Sequence, residues 1–314
     1  MWRYLAGREA IRNPPSSGHD RLIGAVATMA KTYGYFMAVA LLVLIPLIAV
    51  LLVKKLGLLE IRPDEQIAYK VFEGQKRLLH SFKAKTDRLG SPPPAMLLFH
   101  GGAWQYGSGK KLYPQCRFFA ENGLTCFVVQ YRLGSRGVVD VPGAVEDASD
   151  ALAYLRANAS QLNIDADRIV AGGGSSGGQL AAALGVAIHK KAGKPMPVAT
   201  RRPAALILYN PMLDLSPGMP DHDLVKDDWQ EISPYHHVDG SVPPTLILLG
   251  TEDVELPVAS AESFCRMIIA RGGRCELALY QGQQHGFFQY RENNREYFDK
   301  TNARIMTFLE SIWE

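Results

Sequence analysis

Hydrophobic positions follow two different patterns along this 314-residue chain. Residues 33–53 form an apolar run without a charged side chain, whereas from residue 65 onward short apolar runs alternate with longer amphipathic segments. About 20 apolar residues at ~1.5 Å each cross a hydrocarbon core of ~30 Å, so the first pattern predicts a transmembrane helix. The alternating pattern predicts an α/β fold, in which a mostly parallel sheet carries helices on both faces.

The change of pattern predicts four segments. They are a polar N-terminal tail (1–32), a transmembrane anchor (33–53), a juxtamembrane linker (54–64) and one globular α/β domain (65–314). The apolar run is too long for the core of a cleavable signal peptide, which favours a retained anchor in a lipid bilayer. Pro46 is expected to kink this helix without ending it. Basic residues flank the run in similar numbers, so they leave its orientation open.

The pattern also places individual elements. A short amphipathic helix is expected within the tail, over residues 20–31, and a hairpin around Glu73-Gly74. Residues 211–242 are irregular and rich in aspartate, which is consistent with a lid or with a solvated acidic loop. The predicted strands are 67–72, 77–84, 95–99, 125–129, 168–171, 205–209, 245–249 and 274–280, and the predicted helices are 111–122, 144–157, 179–190, 259–271 and 296–312.

Composition narrows the function classes. The formal net charge is only +3 and the basic residues are scattered, which argues against a nucleic-acid partner. Cys126 lies within an apolar strand and is expected to be a buried free thiol, although the ten-residue spacings of Cys116 to Cys126 and Cys265 to Cys275 permit pairs. No cluster of cysteine and histidine has metal-ligand spacing, so no metal or cofactor is expected. The sequence does not indicate an oligomeric state.

The candidate chemistry centres on the segment Gly173-Gly174-Ser175-Ser176-Gly177-Gly178. It follows a predicted strand and precedes a predicted helix, as a nucleophile elbow does, and the glycines leave room around a sharply turned serine. The Gly-x-Ser-x-Gly spacing fits both Ser175 and Ser176. We favour Ser175 as the nucleophile, because it lies closest behind the strand and leaves Gly177 and Gly178 for helix packing. A phosphate loop fits poorly, since no Lys-Ser/Thr pair follows the glycines.

A serine nucleophile needs a base, and the base needs an orienting partner. Asp253 and His285 each follow a late predicted strand, and the order Ser175, Asp253, His285 is the one expected on such a sheet. Glu252 is the alternative acid. Asp253 could also serve only as a helix cap.

An oxyanion that forms during acyl transfer needs backbone donors. His100-Gly101-Gly102-Ala103-Trp104 follows the buried strand 95–99 and forms a glycine-rich turn. The predicted oxyanion hole consists of the N–H groups of Gly101, Gly102, Ala103 and Ser176. Trp104, Tyr131 and Phe287 are candidate substrate contacts, or they pack beneath the loops.

These motifs together resemble the α/β-hydrolase superfamily, and within it the hormone-sensitive-lipase-like and acetyl-esterase-like carboxylesterases. The resemblance covers residues 65–314 and rests on HGGAW (100–104), GGSSGGQLA (173–181), SPYHHV (233–238), PPTLILLGTED (243–253) and HGFF (285–288). It implies a Ser-Asp-His esterase that needs no cofactor and acts on small-molecule or carbohydrate esters. Ala103 and the sequence Gly174-Ser175-Ser176 depart from the lipase-like pattern, and this favours short, acetyl-type acyl groups.

Three other functions share these residues. An acyltransferase uses the same triad, and a lipase-like esterase accepts longer acyl chains. A binding protein on a hydrolase fold would have lost catalysis, although all three candidate triad residues are present here.

Overall fold

The computed structural model describes residues 18–55, 60–134, 138–188 and 202–313. The chain divides into two compact units, residues 1–60 and residues 61–314. Residues 1–17 of the predicted tail, 56–59 of the linker, and 189–190 of the helix predicted over 179–190 lie outside the described residues. That helix ends earlier than predicted, at Gly185.

The first unit contains one long helix, α1 (Gly18–Lys55), of 38 residues. Within its stretch Arg21–Ala49, an 18-residue window has a mean hydropathy of 2.1, so the stretch is long and apolar enough to cross a membrane, a test that an N-terminal signal sequence also passes. Pro46 lies inside this helix and does not end it. Residues 20–31, predicted to form a short helix, are helical but belong to one continuous helix with the apolar run.

The second unit is built on an eight-stranded sheet in the order β1-β2-β4-β3-β5-β6-β7-β8. The hairpin strands β1 and β2 pair antiparallel, and β2 is antiparallel to β4, whereas the remaining neighbours are parallel. The mostly parallel sheet predicted from the alternation is therefore confirmed. The strands are β1 (Glu65–Phe72), β2 (Gln75–Phe82), β3 (Ala95–Phe99), β4 (Thr125–Val129), β5 (Ile169–Ser175), β6 (Ala205–Pro211), β7 (Thr245–Gly250) and β8 (Cys275–Tyr280).

Glu73 and Gly74 both have positive φ values, of 50° and 74°, in the two-residue turn of the predicted hairpin. Residues 211–242, predicted to be irregular, contain short helical turns instead of a long loop. The helices of the second unit are α2 (Tyr113–Glu121), α3 (Val141–Ala157), α4 (Ala159–Leu162), α5 (Ser176–Gly185), α6 (His222–Val225), α7 (Trp229–Ile232), α8 (Val258–Ala270) and α9 (Glu296–Trp313).

Two hydrophobic clusters form the core, one on each face of the sheet. Alternate residues of β3 divide between them: Leu97 and Phe99 belong to one cluster, and Met96 and Leu98 to the other. Side chains of a strand point to opposite faces in turn, and both faces of this strand are covered. The continuous apolar run at residues 95–99 therefore has the buried position that its pattern predicts.

All four cysteines form disulfides. Cys116 of α2 pairs with Cys126 of β4, and Cys265 of α8 pairs with Cys275 of β8. The expectation of a free thiol at Cys126 is wrong. Its side chain is buried as predicted, but the preceding helix brings Cys116 to a Cα–Cα distance of 5.1 Å, which lies within disulfide range.

Candidate active site

The carboxyl ends of β3, β5, β6 and β7 and the loop after β8 converge on one pocket of about 340 Å³. Ligands of open parallel sheets bind at this edge, because the loops that leave the strands gather there. Ser175 and His285 both line the pocket, and so do Gly101, Gly102 and Ala103. Five of the sequence-predicted site residues are thus brought together.

Ser175 ends β5 in a strained conformation, with φ 56° and ψ −123°. Non-glycine residues rarely adopt such angles, which cost about 1–3 kcal/mol and concentrate at functional sites. The glycines around Ser175 are required by close backbone contacts, since a Cβ on Gly177 would lie 2.2 Å from the Phe99 oxygen. The strand, sharp turn and helix predicted for a nucleophile elbow are present.

The two candidate serines have different environments. Ser175 is partly exposed and lines the pocket, whereas Ser176 is the first residue of α5 and is fully buried. A nucleophile must reach a substrate atom, so this difference favours Ser175. The backbone of Ser176 stays next to the elbow, where its N–H is predicted to serve the oxyanion.

Asp253 and His285 contact each other directly. The Nδ1 atom of His285 lies 2.9 Å from Oδ2 of Asp253, whose side chain is fully buried. The other oxygen, Oδ1, accepts hydrogen bonds from the backbone N–H groups of Glu255 and Leu256, at 3.0 and 2.9 Å. Glu252 is exposed. Asp253 therefore occupies the position that orients the imidazole.

The electrostatic environment of His285 favours its protonated form. Burial of the ring opposes protonation, but the hydrogen bond to Asp253 and the negative charges of Asp253, Glu255 and Asp221 outweigh burial. The pKa of His285 is consequently raised above its ordinary value of 6.5. Burial and the nearby Glu255 carboxylate also raise the pKa of Asp221, which lines the same pocket.

The glycine-rich turn after β3 packs directly against the elbow. A Cβ on Gly101 would lie 2.7 Å from the Gly174 oxygen and 3.0 Å from the Ser175 Cβ. Gly102 has φ +134° and its carbonyl accepts hydrogen bonds from the N–H groups of residues 105 and 106. Ala103 also has a positive φ, of 49°. The turn thus brings residues 101–103 beside the predicted nucleophile, as an oxyanion hole requires.

The three predicted substrate contacts lie elsewhere. Trp104 is buried and its indole N–H donates to Gln179 Oε1 at 3.2 Å. Tyr131 is buried, stacks on His100 and donates its hydroxyl hydrogen to the His100 carbonyl at 2.7 Å. Phe287 packs among aromatic rings of the core. The pocket lining within the described residues does not include any of the three.

Other pocket residues were not identified from the sequence. Asn210, Glu255 and Asp221 line the pocket beside His285, and Met212 and Phe288 supply apolar surface. Asn210 follows the predicted strand 205–209 directly, and this position at the carboxyl end of a strand is a usable signal. Glu255 lies two residues after Asp253, but no local pattern separates it from a solvated acid. In the described ranges, no group of three or more histidine, cysteine, aspartate or glutamate side chains could hold a metal ion.

The chain is similar to several known proteins. Residues 96–289, well over half of the chain, match a protein family described as "alpha/beta hydrolase fold". The probable carboxylic ester hydrolase LipM of Mycobacterium tuberculosis is 26% identical over 220 residues, which cover 64% of this chain and 50% of LipM. The chain thus spans about half the length of that relative.

Solved structures of Thermogutta terrifontis esterase 2 are also similar. The apo form superimposes with a TM-score of 0.73 at 33% identity, covering 81% of this chain and 96% of the esterase. The propionate-bound form has a TM-score of 0.70 at 33% identity, covering 79% of this chain and 94% of the esterase.

Proposed function

Because this chain belongs to the α/β-hydrolase family, we propose that it is a serine carboxylesterase that hydrolyses small carboxylic esters. The observation that carries the proposal is that the strained Ser175 lines the same pocket as His285, whose ring contacts Asp253. A hydroxyl in a partly exposed, strained turn, with an oriented imidazole in the same pocket, is suited to nucleophilic acyl chemistry. The similarity to proteins named as esterases supports the same conclusion.

In the proposed mechanism, the Ser175 hydroxyl oxygen attacks the ester carbonyl while His285 accepts its proton at Nε2. Asp253 holds the ring through Nδ1 and stabilises the imidazolium. The N–H groups of residues 101–103 and of Ser176 stabilise the oxyanion. His285 then returns the proton to the leaving alcohol, and a water molecule that it deprotonates releases the acyl group as a carboxylic acid.

The proposed substrates carry short acyl groups of the acetyl type. The pocket of about 340 Å³ is near the lower limit of typical ligand pockets. Phe288, Met212 and Leu112 provide apolar lining, and Lys111, Asp221 and Glu255 provide polar lining. Binding of propionate to Thermogutta terrifontis esterase 2 supports the same size range.

Activity on nitrophenyl esters tests the proposal. We expect the chain to hydrolyse nitrophenyl acetate, with kcat/KM falling as the acyl chain lengthens, because the pocket is small. Ser175→Ala should reduce kcat by several orders of magnitude, about 10⁶-fold where a nucleophilic serine is removed. The matched variant Ser176→Ala keeps its backbone N–H and should retain most of the activity. A maximum at long acyl chains would contradict the substrate class, and full activity in Ser175→Ala would contradict the mechanism.

We further propose that residues 33–53 of α1 anchor the enzyme in a lipid bilayer. Support comes from the length, hydropathy and exposure of the apolar stretch within Arg21–Ala49. We place the catalytic unit on the oxidising side of that membrane, because all four cysteines form disulfides and such bonds persist in oxidising compartments.

A further inference from the structure

The Nε2 atom of His285, which the mechanism uses as the base, contacts two other side chains. Asn210 Nδ2 lies 3.3 Å away, and Glu255 Oε2 also lies 3.3 Å away. An imidazole nitrogen either accepts one hydrogen bond through its lone pair or, when protonated, donates one. The amide nitrogen is a donor and the carboxylate is an acceptor, so the two contacts suit opposite protonation states of the ring.

Asn210 is oriented to serve the neutral ring. Its Oδ1 accepts the backbone N–H of Gly286 at 3.3 Å, so the amide nitrogen is the atom that faces His285. The Asn210 side chain is buried at the carboxyl end of β6. Since Asp253 accepts the hydrogen on Nδ1, a neutral ring carries its lone pair on Nε2, where Asn210 donates.

Glu255 is oriented to serve the protonated ring. A carboxylate has no hydrogen to donate, so its contact with Nε2 requires a hydrogen on that nitrogen. Glu255 belongs to the loop after β7 and its side chain is 59% exposed. A carboxylate on such a surface loop is free to leave the ring without disturbing the core.

We propose that Asn210 and Glu255 are positioning residues that compete for Nε2 of His285, with Asn210 holding the neutral, base-competent ring and Glu255 holding the protonated ring. This inference rests on the proposed esterase function. Glu255 then retards the enzyme in acid, because it retains the proton that must leave before Ser175 can be activated. Asn210 opposes this effect by stabilising the neutral ring, and the Ser175 hydroxyl must replace it at Nε2 before proton transfer, since that nitrogen accepts one hydrogen bond.

Other charged groups around the His285 ring also affect its protonation. Asp253 accepts from Nδ1, and Asp221 approaches from the segment after β6. Lys111 and His100 line the same pocket from the region after β3. Asp253 and Asp221 face the ring whichever side chain contacts Nε2, so they do not distinguish the two contacts. Replacing Asn210 and replacing Glu255 should therefore shift the protonation equilibrium of His285 in opposite directions.

The first experiment measures kcat/KM for nitrophenyl acetate between pH 5 and pH 9 in the full-length chain. Glu255→Gln removes the partner of the protonated ring, so the acid limb of the profile of kcat/KM against pH should move to lower pH. An exposed ion pair of ordinary strength corresponds to a two- to fivefold rise, roughly, in kcat/KM at pH 5. The increase should shrink at high salt, because exposed charges are screened. Glu252→Gln removes an exposed carboxylate from the same loop and should leave the profile unchanged.

The second variant has the opposite expected sign. Asn210→Leu has a similar volume but no donor for the neutral ring, so its acid limb should move to higher pH. A purely structural role of Asn210 would lower kcat without moving the limb. Unchanged profiles in both variants, or shifts in the same direction, would overturn the proposal.

Titration of His285 by NMR, with ¹³C-labelled histidine in the full-length chain, separates this inference from the proposed function. If the wild type does not hydrolyse esters, the esterase proposal fails, yet the ring must still titrate at lower pH in Glu255→Gln than in the wild type. Equal titration midpoints in the wild type, Glu255→Gln and Glu252→Gln would overturn the competition itself. This measurement also decides the question if Asn210→Leu does not fold.

Discussion

Asp253 divides its two carboxylate oxygens between two tasks. Oδ1 accepts two backbone N–H groups of its own loop, and Oδ2 accepts from His285. The loop bonds fix the carboxylate, and the fixed carboxylate in turn fixes the tautomer of the imidazole. These contacts are compatible with both the cap-like role and the proposed orienting role, which the sequence presents as alternatives.

Replacing Asp253 tests this double role. Asp253→Asn keeps the shape of the side chain but can present an N–H to Nδ1, which favours the tautomer with its hydrogen on Nε2. We expect kcat to fall by about 10⁴-fold, because the ring can no longer accept the Ser175 proton. Glu252→Gln is the matched control and should retain wild-type kcat for nitrophenyl acetate. A loss of similar size in the control would assign the orienting role to Glu252 instead.

At the scale of elements, the site depends on a buried amide that joins three segments. Gln179 of α5 accepts the indole N–H of Trp104 and donates to the Ile232 carbonyl at 2.8 Å. It thereby ties the predicted oxyanion turn and the segment after β6 to the helix that begins behind Ser175. An unpaired buried polar group costs about 1–3 kcal/mol, so this arrangement favours one position of the turn.

Much of this framework could be predicted from the alternating hydrophobic pattern. The strands β3 and β4 begin and end where the apolar runs predict, because strands buried on both faces leave a continuous local signal. Helix ends were less accurate: α5 begins at Ser176 instead of residue 179, since glycines have poor helix propensity yet are needed here for close packing.

The site was only partly predictable, for a different physical reason. Ser175 and His285 follow strands in recognisable motifs, so their place at the sheet edge could be predicted. Contacts such as Asn210 with His285 join residues 75 positions apart, and nothing in the local sequence specifies them. Aromatic side chains next to motifs were misleading, because Trp104 and Tyr131 are large enough to be needed in the core.

At the scale of the whole molecule, the two disulfides and α1 bear on the location of the enzyme. Each disulfide joins a helix to the strand that follows it and closes a ten-residue separation. Loop closure of that size is worth on the order of 3 kcal/mol in the chain-entropy account. Disulfides persist mainly in oxidising compartments, which supports the proposed placement of the second unit on the oxidising side of the membrane.

Thiol labelling tests the proposed location. In denatured, unreduced cell extracts we expect a maleimide reagent to leave all four cysteines unmodified, and prior reduction should expose four sites. The protein should remain in the membrane fraction after a high-salt wash, and deletion of residues 1–60 should release it. Four reactive thiols without reduction would instead place the second unit in a reducing compartment.

The most direct test of the account is to identify the residue that an active-site-directed fluorophosphonate modifies. The reagent phosphonylates an activated serine, and peptide mapping by mass spectrometry locates the adduct. The account predicts one adduct on Ser175, strongly slowed in Asp253→Asn, and none in Ser175→Ala. An adduct on Ser176, or an esterase that hydrolyses nitrophenyl acetate while Ser175 stays unmodified, would contradict the central claim that Ser175 is the nucleophile.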